Sequence, residues 1–96
     1  MQPRFGPEFH YTIIREWSFQ EKMEAFIADY KRLAEVESAL DWALARQPHS
    51  FTQLINDTYF LVTEDLGEFD VPSLRILYLI DSAEKRILLI DVDLKD

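Results

Sequence analysis

The sequence predicts an α+β domain: an N-terminal strand, a helical hairpin and a three-stranded antiparallel meander, with the helices packed on one face of the sheet. Three observations predict it. Between Phe19 and Leu44 apolar residues recur every three or four positions, the period of an amphipathic helix. Over residues 71–94 two runs rich in Ile and Leu flank the polar stretch D-S-A-E-K, which reads as a hairpin. β-Branched and aromatic residues crowd residues 10–17 and 58–63 at the density of strands.

Residues 1–9 hold Pro3, Gly6 and Pro7 and are expected to form an irregular arm, leaving residues 10–96 as the single domain. In the first strand, residues 10–17, Tyr11 and Ile13 share one face and Thr12 and Ile14 the other. Ser18 and Glu21 have the S-x-x-E spacing of a capping box, so a helix is expected to start there. Phe19, Met23, Phe26, Ile27 and Tyr30 make its buried stripe, and Leu33, Val36, Leu40, Ala43 and Leu44 continue the pattern. The apolar set shifts sideways after Tyr30, which favours a helical hairpin bending at 30–33 over one long rod. Met23, Phe26, Tyr30 and Trp42 read as core residues rather than an aromatic ligand box. Pro48 ends the helical region, and His49 reads as an exposed loop histidine.

Residues 51–55 suggest a short extended piece before the turn signal Asn56-Asp57, and 58–63 a strand. Residues 64–70 are acidic and hold Gly67, as an exposed loop does; their spacing is not that of a calcium loop. The strand over 74–80 is apolar except for Arg75 and is expected to be buried on both faces. A connection of three to five residues leads to the last strand, 86–94, whose strict alternation groups Ile87 and Leu89 with Asp91 and Asp93.

Composition bounds the function. The 96 residues carry 18 acidic and 10 basic side chains, a net charge of −8, which argues against broad binding to nucleic acid. Cysteine is absent, so there is neither a disulfide framework nor a thiolate metal site. No apolar run has the length of a membrane span and no signal-peptide pattern opens the chain, so the expected location is cytoplasmic. No motif calls for a cofactor or a metal: Asp91, Asp93 and Asp96 read as a solvated strand end rather than a magnesium site. Arg75 stands out, because a guanidinium in an apolar strand needs an anion. Either it snorkels to the rim and pairs with an acidic neighbour, or it projects into a cleft for a phosphate or a partner's carboxylate.

The A-R-Q-P close of the helical region at 45–48, the V-P-S-L-R-I-L-Y-L-I-D segment at 71–81 and the I-L-L-I-D-V strand at 87–92 resemble the RelE/ParE superfamily of bacterial type II toxins. The resemblance covers most of the chain after His10. It implies a small toxin neutralised by a cognate antitoxin, part of which folds on binding. RelE-like members cleave messenger RNA on the ribosome and ParE-like members poison DNA gyrase. For the nuclease branch, Arg75 matches the strand arginine that contacts the scissile phosphate, and Lys95 lies near where basic residues follow the last strand; a nuclease would use Lys95 or Lys85 as its supporting cation. The chain departs from that branch in lacking Lys or Arg over 58–63 and a tyrosine after the last strand, and in its acidity. Tyr11, Tyr30, Tyr59 and Tyr78 read as core or sheet residues. The resemblance thus implies a toxin-like component acting through a protein partner, with a reduced nuclease site. The alternatives are a ribosome-dependent mRNA endonuclease using Arg75, and a non-enzymatic binding or homodimerisation module with Trp17, Phe51 and Phe69 as exposed anchors.

Overall fold

The central hairpin is formed by β4 (Leu74–Asp81) and β5 (Arg86–Leu94). A computed structural model describes residues 10–95; the irregular arm expected over 1–9 lies outside the described residues. At the turn over 82–85, Lys85 takes the left-handed conformation at φ 55°, and Glu84 donates its backbone N–H to the Asp81 carboxylate at 3.1 Å. Arg86 pairs with the same carboxylate at 2.8 Å, and this hydrogen bond holds the Asp81 pKa below its ordinary value.

The sheet order is β1-β5-β4-β3-β2. β1 (Thr12–Arg15) runs parallel to β5, and the remaining pairs are antiparallel. β2 (Thr52–Ile55) adds a fifth strand to the expected four. Asn56 at φ 50° turns the chain directly into β3 (Thr58–Val62), which lets the extended piece pair back on its neighbour.

α1 (Trp17–Asp29) and α2 (Leu33–Arg46) form the helical hairpin. Tyr30 donates its N–H to Phe26 O at 2.8 Å, and Leu33 donates to Tyr30 O at 2.9 Å, so the reversal is hydrogen-bonded without a glycine. Phe19, Met23, Leu33 and Leu44 from the helices close over Leu74, Ile76, Tyr78, Ile80, Ile87, Leu89 and Val92 from β4 and β5. Arg15 of β1 ties α2 to the sheet, donating Nε to Glu37 at 3.1 Å and Nη2 to Asp41. Burial works against its charge, but the Asp41 hydrogen bond and both carboxylates outweigh it, and the Arg15 pKa is raised.

Four expectations are corrected. The capping box does not form: α1 starts at Trp17 with Glu16 as its extended N-cap, and no side chain caps it. Glu16 donates its N–H to Leu89 O at 2.9 Å, and Ser18 donates its hydroxyl to Ile90 O at 3.2 Å, so docking on β5 takes the group that would have capped the helix. Trp42 is not core. It is 61% exposed, with the Arg46 guanidinium 4.3 Å from its ring centroid. β4 is not buried on both faces: Leu74, Ile76, Tyr78 and Ile80 are buried, whereas Arg75 is exposed and Leu77 and Leu79 are half-buried. The helices cover only one side.

The last correction concerns β5, whose alternation breaks. Leu89 lies opposite Tyr78 but Asp91 lies opposite Leu77, so Ile90 is an extra residue in a β-bulge. Ile87, Leu89 and Val92 therefore share the core face, and Asp91 and Asp93 turn outward. Without the bulge, Asp91 would enter the core.

Candidate functional site

The bulge creates the site. It puts Asp91 beside Leu77 and Asp93 beside Arg75 on the sheet face away from the helices, while β3 supplies Phe60 beside Leu77 and Val62 beside Arg75. An open cleft of about 360 Å³ results, lined by Leu54, Phe60, Arg75, Leu77, Asp91 and Asp93. Across the strands its character runs from apolar at β2 and β3, through the guanidinium on β4, to carboxylates on β5.

The start of β4 is held firmly, which fixes Arg75. Thr63 donates its backbone N–H to Leu74 O at 2.9 Å, and its hydroxyl oxygen accepts the Leu74 N–H at 2.8 Å. Buried Ser73 donates its hydroxyl to Thr63 O at 2.5 Å. These bonds extend the β3–β4 ladder past Val62 and leave little freedom in the backbone that carries Arg75.

Arg75 lines this cleft and is exposed. It makes no ion pair with any described residue, although Asp93 lies directly across the strand. Lys22 of α1 takes that carboxylate instead, at 3.4 Å, and Asp91 at 2.8 Å. The Asp91 hydrogen bond raises the Lys22 pKa and lowers that of Asp91, so both stay charged at neutral pH. The two aspartates share the charge of one lysine, and among the described residues Arg75 has no ion-pair partner above its apolar floor.

The other predicted cations are not gathered there. Lys95 follows β5, donates its backbone N–H to Ser73 O at 2.9 Å, and its exposed side chain does not line the cleft. Lys85 sits at the far end of the hairpin, about 20 Å along the strand from Arg75, with its ammonium 5.1 Å from the Tyr11 ring centroid. His49 packs edge-on against Tyr11 and Tyr59, at 6.3 and 5.8 Å between centroids, also outside the cleft. Tyr78 is a core residue that donates its hydroxyl to Pro48 O at 2.5 Å; burial, with the neighbouring Tyr59, pushes its pKa up. Trp17 and Phe69 are exposed, as the anchor reading expects, but Phe51 packs against the core.

Sequence reasoning puts Leu77 on the face of Arg75 but missed Phe60, Asp91 and Asp93 as its neighbours. The signal available was Asp91 and Asp93, which strict alternation places on the same face as Ile87 and Leu89; a bulge between Leu89 and Asp91 is what separates them.

The architecture is two helices on one face of a five-stranded sheet with a central arginine-bearing strand. Among solved structures, the chain is similar to one chain of the crystal structure of the toxin–antitoxin complex RelBE2 from Mycobacterium tuberculosis. The TM-score is 0.70 at 15% identity, over 90% of this chain and 99% of that one. No protein-family model and no curated protein matches the sequence. Among the described residues, no helix is long and apolar enough to cross a membrane.

Proposed function

We propose that the chain is the toxin-like component of a bacterial toxin–antitoxin pair, acting in the cytoplasm through protein partners, with the Arg75 cleft as its working surface. The observation that carries this reading is Arg75 in an open cleft with no ion-pair partner among the described residues, on a fold similar to a chain of a toxin–antitoxin complex. An antitoxin is the first partner this implies; a protein target such as DNA gyrase is the second. The cleft supports a protein partner better than an RNA substrate, because among the described residues Arg75 is the single cation lining it, where a run of phosphates calls for several. RNA cleavage also needs groups that activate the 2′-hydroxyl and protonate the leaving oxygen, and the lining residues offer no such pair.

The second reading is a ribosome-dependent mRNA endonuclease with Arg75 on the scissile phosphate, favoured by the same free guanidinium and left without support from Lys85. Induced expression in a bacterial host, with growth and bulk RNA followed together, separates the two. We expect growth arrest with intact RNA, relieved by a co-encoded partner. Arrest with RNA cleavage that needs Arg75 would establish the nuclease instead, and unimpaired growth would contradict both. A homodimerisation role is favoured by the exposed, uncharged β2 edge, T-Q-L-I, and by exposed Trp17 and Phe69, and sedimentation tests it.

A further inference from the structure

The cleft's lining carries an inference about what occupies it, which rests on the protein-partner reading above. Leu54, Phe60 and Leu77 make an apolar floor spanning β2, β3 and β4, and Arg75 lies two residues from Leu77 on the same face of one strand. The Cα atoms of Leu77 and Arg75 are therefore about 7 Å apart along the strand. The cleft volume, about 360 Å³, suits a few side chains rather than a run of nucleotides. Asp91 and Asp93 share the one charge of Lys22, and among the described residues Arg75 is the lining cation without an ion pair that an incoming group can meet.

We infer that the cleft is a peptide-docking site for a partner segment that places an apolar side chain on Leu54, Phe60 and Leu77 and a carboxylate in the fork of Arg75. The ~7 Å separation is met by residues two apart in an extended segment, or three to four apart on a helix. The signature is thus a Leu, Ile or Phe with an Asp or Glu two to four residues away. A carboxylate fits the planar fork in a bidentate pair, and the apolar floor adds the desolvation that makes such a pair strong.

The test is selection from a random-peptide library on the folded protein, run in parallel on Arg75→Glu, with binding of a mixed-sequence 12-nucleotide RNA measured on both. The expected result is enrichment of the apolar–acidic signature on the wild type and its replacement by Lys or Arg at the acidic position on Arg75→Glu. For a selected peptide, Arg75→Ala weakens binding by about 10- to 100-fold and Arg75→Lys by about tenfold, since lysine keeps the charge and loses the fork. Enrichment indifferent to residue 75, no enrichment, or RNA binding that needs Arg75 would overturn the inference. Because selection reads docking and expression reads growth, failure of one leaves the other measurable. Arg75 is exposed, and a circular-dichroism melt confirms that each variant is folded.

Discussion

The two faces of the sheet are made by the same strands and have opposite fates. On the helix side, Leu74, Ile76, Tyr78, Ile80, Ile87, Leu89 and Val92 are each at most 2% exposed. On the other side, residues of the same strands leave Arg75 and Leu77 open to solvent in a cleft with Asp91 and Asp93. A bulge at Ile90 keeps the faces distinct, because it moves two aspartates out of the core and puts them opposite the arginine. Stability lives on the closed face, and the proposed recognition on the open one.

The comparison breaks most visibly with a pair of leucines three residues apart on β4. Leu74→Ala is expected to lose about 3–4 kcal/mol by urea unfolding, as a fully buried leucine does, whereas half-buried Leu77→Ala loses about 1 kcal/mol or less. Equal losses would mean that the open face is as structural as the closed one. The Arg15 clamp is the next largest: Arg15→Ala leaves Glu37 and Asp41 without their cation, and at its partial exposure we expect a loss of about 2 kcal/mol.

Tyr78→Phe sharpens the closed-face account. It leaves Pro48 O unpaired in the interior, which costs about 1–2 kcal/mol in the same unfolding assay. It also changes the pH profile. An unfolded tyrosine ionises near pH 10, but in the fold Tyr78 holds its proton to higher pH. Stability from this group is therefore fully present below about pH 10 and lost as pH rises through the folded value. The phenylalanine variant is expected to be flatter above pH 10, and an unchanged alkaline slope would show that Tyr78 does not carry it.

The smallest stability effect belongs to Lys22→Ala on the open side. Asp91, no longer paired with Lys22, returns toward its ordinary pKa. Its depressed value contributes stability above the unfolded pKa of about 3.9 that is lost as pH falls through the folded value. The variant should lose that acid dependence, read by NMR titration of the Asp91 carboxylate.

Much of this organisation was legible in the sequence because burial writes itself as periodicity. The stripe from Phe19 to Leu44 gave both helices, and the sideways drift after Tyr30 gave the bend. Arg75 stood out for being charged in an apolar run. What was not legible depended on pairing between distant segments. Strict alternation hid the bulge, since which face Asp91 takes is decided by its register against Leu77. The S-x-x-E motif misled because Ser18 finds Ile90 O, 72 residues away, before any helix N–H. Trp42 misled because an arginine one turn later shields its ring in solvent.

The most direct test of the central claim, that Arg75 serves the open face and not the fold, is one variant read two ways. Arg75→Ala should unfold within about 0.5 kcal/mol of the wild type in urea, yet no longer arrest growth when expressed. Arrest as strong as that of the wild type, or a loss of arrest accompanied by a comparable loss of stability, would contradict it.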